Sequence, residues 1–554
     1  MRKTLLFYLV VLQCVSCVQY RPKPVSVPKP EEWKTAFEPT EHPTPLPSEQ
    51  KAKYDTLYPW WEVFEDKTLS ELEQVALMNS PTLQLAFYTL QEAKQVYLDA
   101  RSYLFPSVDL NAVANRSRIP PNVRGGALAG VATGAANAGT IPGSGISPFL
   151  PQALSFKSPA ASPAGAPCAP PVAPPPQAPC SPPTPTTPAT TSSTSSSSSS
   201  TSAAATAATA TPNPYVTFLE VLPQISYEVD LWGQYAQAAG AAYANMQATT
   251  EQLHVAHLML TTQLAQNYYQ LRAADVQLDV LDRVIAMYKD QVSLQNDLYE
   301  AGLSAETDLL QVQAALATAE ANYQDTATSR QMLEDTLAVL VGQAASVFKL
   351  EKAPFAVTIP EIPSMLPAEV LQNRPDVRAS VYVVEEQRLN VGVAKTAFFP
   401  SLVLTGAFGF ASNRANTLFD WKSRVLALTA QLMENLFAGG KTLADFRAAK
   451  AVYRQAVANY VNTVLVAYQE VEDALYSVRS RTKQHTDREA EYNYYFRYAT
   501  LTNDQYNAGI TTYFFVIVAD QQALNAAIDR NTSYLSKVLA YIALINSLGG
   551  SWKV

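Results

Sequence analysis

Cysteine is scarce, with four in 554 residues. Cys168 and Cys180 have no histidine or further cysteine near them, so they form no metal site; in an oxidising compartment they can pair or stay free. Histidine is equally sparse, limited to His42, His254, His257 and His485. His254 and His257 stand three apart at helical spacing, which suits a metal, but no third ligand accompanies them and they read as a polar helix face. An excess of positive charge is missing too. The net charge of −8 argues against a nucleic-acid surface. No phosphate loop, GxSxG nucleophile motif or dinucleotide fingerprint occurs, and no carboxylate pair stands out, so no catalytic residue, cofactor or enzymatic activity is assigned. No internal apolar run approaches the roughly 20 residues of a membrane-spanning helix. Proline is absent from residues 224–353 and again after Pro400.

What is present begins with a leader. Arg2 and Lys3 precede an apolar block over residues 5–15, the order of a secretory signal. It ends at Cys14-Val15-Ser16-Cys17. A serine before Cys17 resembles a bacterial lipoprotein signal over residues 1–16, which would leave Cys17 acylated and membrane-anchored. An ordinary cleaved signal is the alternative.

The chain states the same thing twice. Residues 100–110 read ARSYLFPSVDL and 394–404 read AKTAFFPSLVL. DLYEAGL at 297–303 returns as DQYNAGI at 504–510, and Asp230-Leu231-Trp232-Gly233 is echoed by Asn435-Leu436-Phe437-Ala438. Such self-similarity marks one architectural unit built twice. The spacing from Pro81 to Pro375 equals that from Pro106 to Pro400, but later matches lie about 88 residues closer. The surplus sits in the first copy, where residues 120–214 are almost all Pro, Ala, Ser, Thr and Gly. That composition carries too little apolar surface to offset ordering entropy, and predicts a disordered loop.

Within each copy a short stretch alternates with period two. Val108, Leu110, Ala112 and Ala114 oppose Asp109, Asn111 and Asn115, and Ile225, Tyr227, Val229 and Leu231 oppose Ser226, Glu228 and Asp230. Leu402, Leu404, Phe408 and Phe410 oppose Val403, Thr405, Ala407 and Gly409; a fourth strand over 425–437 alternates less cleanly. Each copy therefore gives one hairpin. The proline-free tracts read as helices of about 65 residues, ~100 Å long at 1.5 Å per residue, returning after turns at Gly302 and Gly509. The expected division is a signal at 1–16, an extended arm at 17–60 and a first repeat at 61–342. That repeat holds strands 103–116 and 215–232 around the loop 119–214. A linker at 343–366 leads to a second repeat at 367–554 with strands 400–411 and 425–437. Strands with one apolar and one polar face suit an outer-membrane barrel. Unpaired edges are prohibitive in lipid, and four strands cannot close, so subunits must share the barrel. A small soluble sheet beside a helical bundle is the alternative.

The residues now support a resemblance. WWEVFEDKTLSEL (60–72), LFPS and FFPS, YEVDLWG (227–233), LQNRPDVR (371–378), VGVAKTAFFPSLVLTG (391–406), YQEVEDAL (468–475) and LGGSW (548–552) occur in an order that resembles the outer membrane factor family, the TolC-like exit ducts of bacterial efflux pumps. Within it the chain is similar to the lipoprotein branch (OprM-like, NodT-like). The resemblance implies a mainly helical fold: a long antiparallel coiled-coil α-barrel in the periplasm, plus a twelve-stranded β-barrel shared by a homotrimer. It implies an outer-membrane site with bound lipids, a periplasmic adaptor (membrane fusion) protein, and an inner-membrane RND-type pump or ABC transporter, with no nucleic acid. The duct would conduct passively. Gly302 and Gly509 would be the periplasmic tip turns, and the low-complexity loop would face outside the cell. In the family an Asp after the first turn bonds a Tyr before the second; Asp308 and Tyr506 match them, with Thr307 alongside. The acidic ring of many relatives is replaced here by Phe515 and Val518, with Asp520 the nearest carboxylate. An apolar constriction that closes by dewetting follows, or else aromatics packed between helices. A duct for type I protein secretion and a non-conducting envelope lipoprotein are the competing functions.

Overall fold

The computed structural model describes residues 59–118, 215–355, 357–359 and 373–550. The expectations for the signal, Cys17, the arm up to residue 58, the loop 119–214 with Cys168 and Cys180, linker residues 360–366 and Trp552 fall outside these residues. Helices α1 (Lys67–Asn79) and α2 (Pro81–Ser102) lead into strands β1 (Ser107–Arg118) and β2 (Tyr215–Val229). Helix α3 (Gln234–Glu300) runs out and α4 (Glu306–Val341) returns. The order then recurs as α5 (Pro375–Thr396), β3 (Ser401–Ser412), β4 (Arg424–Met433), α6 (Lys441–Asn507) and α7 (Tyr513–Ser547). Both outgoing helices have 67 residues, the returning ones 36 and 35, and α2 and α5 have 22 each. α2 and α5 each start on a proline, whose missing N–H costs nothing in a first helical turn. No helix among the described residues is long and apolar enough to cross a membrane.

Two compact units are distinguished. One takes in the helices and the strand ends nearest them; the other holds residues 109–118, 215–224 and 407–427. In the helical unit, α3 packs against α2, α4, α5 and α7, and α6 against α5 and α7. Small residues line these seams: Ala265, Ala338, Ala467 and Ala519 are wholly buried, which lets helix backbones approach closely.

The main core is pinned by the segment that opens the described chain. Trp60, Trp61 and Phe64 are buried against Leu264, Tyr268, Tyr269 and Ile542. Trp60 donates its indole N–H to Thr261 Oγ1 at 3.0 Å. Asp66 caps α1 through Thr68 and Leu69 N–H and accepts the Tyr268 hydroxyl at 2.8 Å. Beside this core lies a buried ionic lattice. Arg330 donates to Asp275 at 2.6 Å and to Glu334 at 2.9 Å, and Arg272 donates to Asp275 at 3.1 Å. Arg272 also donates to the Glu351 carbonyl and Arg330 to the Leu350 carbonyl, at 2.6 and 2.7 Å. The Leu350 N–H returns to Glu334 at 2.5 Å. Four charged side chains thus tie the segment after α4 onto α3 and α4.

Glu73 of α1 is wholly buried, and among the described residues neither carboxyl oxygen has a hydrogen-bond partner. Burial pushes its carboxyl well above the ordinary 4.5. The folded state therefore holds a proton that the unfolded chain releases. The resulting stability is complete below about pH 4 and is lost progressively as pH rises toward the folded-state value. Glu73→Gln should raise the thermal unfolding midpoint at neutral pH and leave it unchanged near pH 4, measured by circular dichroism at both pH values.

The four strands form one sheet in the order β1-β2-β3-β4, so β2 and β3 join the two repeats, and among the described residues β1 and β4 are open edges. Val108 and Leu110 on β1 and Leu426, Leu428 and Leu432 on β4 are all exposed. The alternation of β4 is clear once its register is known: Leu426, Leu428 and Leu432 share one face, Thr429 and Gln431 the other. β4 stops at Met433, short of residue 437, because the chain turns through Gly439 and Gly440, with φ of +58° and +87°, into α6. β1 starts at Ser107 rather than 103, because Leu104 and Phe105 still donate to helical carbonyls of Arg101 and Ser102. β2 ends at Val229. Just beyond it, Trp232 donates its indole N–H to the Pro400 carbonyl at 2.7 Å and stacks on Phe399 with ring centroids 4.8 Å apart.

Candidate gate at the helical turns

Both turns between long helices are built alike. Gly302 and Gly509 take φ of +71° and +74°, a region open to glycine and strained for other residues. Gly302 N–H donates to the Tyr299 carbonyl and Leu303 N–H to Leu298; Gly509 donates to Tyr506 and Ile510 to Gln505, all between 2.8 and 2.9 Å. These pairs are the two bonds of a Schellman cap, which satisfies the last carbonyls of each outgoing helix. No atom lies within 4 Å of a Cβ added at either glycine, so only the backbone resists substitution. Leu303 and Ile510 follow the glycines and are 77% and 74% exposed.

Asp308 lies in the first turn of α4, half buried. There a negative charge is favoured by the unpaired N–H groups of the helix start. The Ser304 hydroxyl sits 3.3 Å from Asp308 Oδ2 and 3.1 Å from Gln295 Oε1. Thr307 is exposed. Tyr506, in the last turn of α6, meets Tyr513 with the rings tilted and their centroids 5.1 Å apart, and packs on a cluster of Tyr288, Val312, Ala315, Val516 and Ile517. Among the described residues no hydrogen bond joins Asp308 to Tyr506; Asp308 is met by Ser304 of its own turn, and Tyr506 by the apolar cluster.

Helix α7 sorts the remaining candidates by face. Tyr513, Val516 and Ile517 are buried in the cluster, with Asp520 half buried on the same side. Phe514 and Phe515 are 46% and 49% exposed, their rings 5.5 Å apart edge to face, and Val518 is half buried beside them. Asp520 is therefore separated from Phe515 and Val518. Burial raises its carboxyl above the ordinary range, and a hydrogen bond from Gln291 offsets part of the rise. Burial and the nearby Asp520 charge push the Tyr288 phenol up to about 12. The hydroxyls of Tyr288 and Tyr513 are buried without partners among the described residues. This polar group inside an apolar cluster was not anticipated from the sequence, because Tyr288 lies more than two hundred positions from Asp520. Among the described residues no group of three or more His, Cys, Asp or Glu is arranged to hold a metal.

These features have parallels in known proteins. The toluene efflux pump outer membrane protein TtgI of Pseudomonas putida is 26% identical over 332 residues, covering 59% of this chain and 70% of that one. Outer membrane protein OprJ of Pseudomonas aeruginosa is 26% identical over 331 residues, covering 59% and 68%. Among solved structures, the Campylobacter jejuni CmeC outer membrane channel superposes with a TM-score of 0.74 at 21% identity over 96% of this chain and 95% of that one. The open-state Neisseria gonorrhoeae MtrE channel gives 0.68 at 20% identity over 95% and 98%. These two channels share the fold of this chain. The profile of the family described as outer membrane efflux protein matches residues 184–343 and 366–550, one segment in each repeat. The chain belongs to the outer membrane efflux protein family and is the outer membrane channel of an efflux pump.

Proposed function

We propose that three copies of this chain close a twelve-stranded barrel and a helical tunnel. The duct passes substrates handed over by a periplasmic adaptor and an inner-membrane RND-type or ABC transporter. One observation carries the reading: a four-stranded sheet with apolar side chains exposed and both edges, β1 and β4, unpaired among the described residues. In lipid each unpaired backbone group costs several kcal/mol. Edge-to-edge closure with further copies removes that cost, and four strands per copy give twelve from three. Cys17 would supply a lipid anchor in the same membrane. No energy source is needed in the duct; transport is driven by the partners. Efflux is preferred over type I secretion because the relatives carry efflux names.

The turn region would be the periplasmic closure. Asp308 and Tyr506, unjoined within a subunit, have donor and acceptor free to meet across the seam between coils or between copies. Phe515 and Val518, facing away from the packed cluster, would form an apolar constriction, while Asp520 would act on packing rather than as a charge in the channel. Purified trimers in planar bilayers test both parts. The wild type should show a small, rarely open conductance, and Asp308→Ala with Tyr506→Phe should raise it by about threefold or more. Protein that stays monomeric in mild detergent, or conducts nothing in either form, would refute the duct. An unchanged conductance in the double variant would refute the clasp alone.

A further inference from the structure

The junction between repeats inside one subunit is a template for a junction that the subunit cannot make alone. Inside the chain, the end of the first repeat's hairpin meets the start of the second's. Trp232, just past β2, stacks on Phe399, just before β3, and donates to the Pro400 carbonyl at 2.7 Å. The repeat relates Trp232 to Phe437 and Phe399-Pro400 to Phe105-Pro106. The related side chains do not meet: Phe437 is 88% exposed and Phe105 60% exposed. The helices tell the same story. α3 packs extensively on α5, whereas their repeat mates, α6 and α2, make no comparable packing within the chain. α2 instead exposes Leu85, Phe87 and Tyr88, and α6 exposes Val452 and Leu465. Large aromatics left this open beside unpaired strand edges mark an interaction surface.

We infer that the occupant is a second copy of this chain, and that Phe437 stacks on Phe105 of the partner subunit as Trp232 stacks on Phe399 within it. The inference rests on the trimeric duct, and it names the contact that closes it. The two junctions are not identical. Phenylalanine has no indole N–H, so the hydrogen bond to the Pro400 carbonyl has no counterpart between subunits. The inter-subunit aromatic seam is the weaker of the two kinds, and assembly separates there first.

The test uses the full-length protein in detergent, with Cys168 and Cys180 changed to serine. In Phe105→Cys with Phe437→Cys, a short thiol–thiol cross-linker should give covalent trimers, and neither single variant should. Phe437→Trp supplies the missing donor and should raise the temperature at which the detergent-resistant trimer dissociates. Phe437→Ala should lower it and speed subunit exchange by about tenfold. Wild-type trimers that form and conduct, while the double variant fails to cross-link and the Trp and Ala variants melt alike, would overturn the contact and leave the duct standing. Wild-type protein that never trimerises would overturn the duct itself.

Discussion

Replacing Asp275 with alanine should destabilise the subunit by about 3–5 kcal/mol, the cost of leaving a buried charge without its partner. Asp275 is 1% exposed and is the common acceptor for Arg272 and Arg330. Removing it leaves Arg272 with no carboxylate partner and Arg330 with Glu334 alone; among the described residues Arg272 Nε already has no partner. The same two arginines hold the carbonyls of Leu350 and Glu351, so the segment after α4 should loosen as well. Urea unfolding of the detergent-solubilised protein measures the loss, and limited proteolysis locates it near residues 343–355. Asp445→Ala is the control. Its partner Lys441 is 2.7 Å away, but both side chains are more than half exposed, and such pairs contribute at most about 0.5 kcal/mol. Equal effects from the two substitutions would show that the buried lattice has no special weight.

Gly409→Val should block assembly outright. A Cβ at this β3 position would stand 2.1 Å from the Val221 carbonyl oxygen and 2.9 Å from Leu222 Cα. Both are backbone atoms of β2, so no rotamer change makes room, and β2 and β3 are the strands that join the repeats. Trimer recovered from membranes should fall by about tenfold or more, because a lost ladder in lipid leaves backbone groups unsatisfied. Gly406→Ala, whose nearest neighbour is a Leu428 methyl at 3.3 Å, should assemble normally. Normal yields of Gly409→Val trimer would mean that the two strands part locally without consequence.

The helical half of the fold was legible because its signals are local. Proline-free tracts and the glycines at 302 and 509 give the length of α3 and α6 and the turns from which α4 and α7 return. The three clean strands were legible from period-two alternation. β4 was harder, because Val425 and Ala427 blur its polar face until the register is known. The ionic lattice was invisible: Arg330 and Asp275 are joined only by the antiparallel return of α4 along α3. The same holds for Gly409, whose need for a bare backbone comes from a strand almost two hundred residues away. At the turns, the caps were readable from the glycines, while the separation of Asp520 from Phe515 depends on which face of α7 is packed.

The equality of α3 and α6, 67 residues each, constrains how such a chain can change. An insertion in only one of them would push its turn beyond the other by about 1.5 Å for every residue added. The two loop ends would no longer be level, and any closure built from both would open on one side. Lengthening must therefore be copied into both repeats, so this protein grows or shrinks in matched pairs of edits.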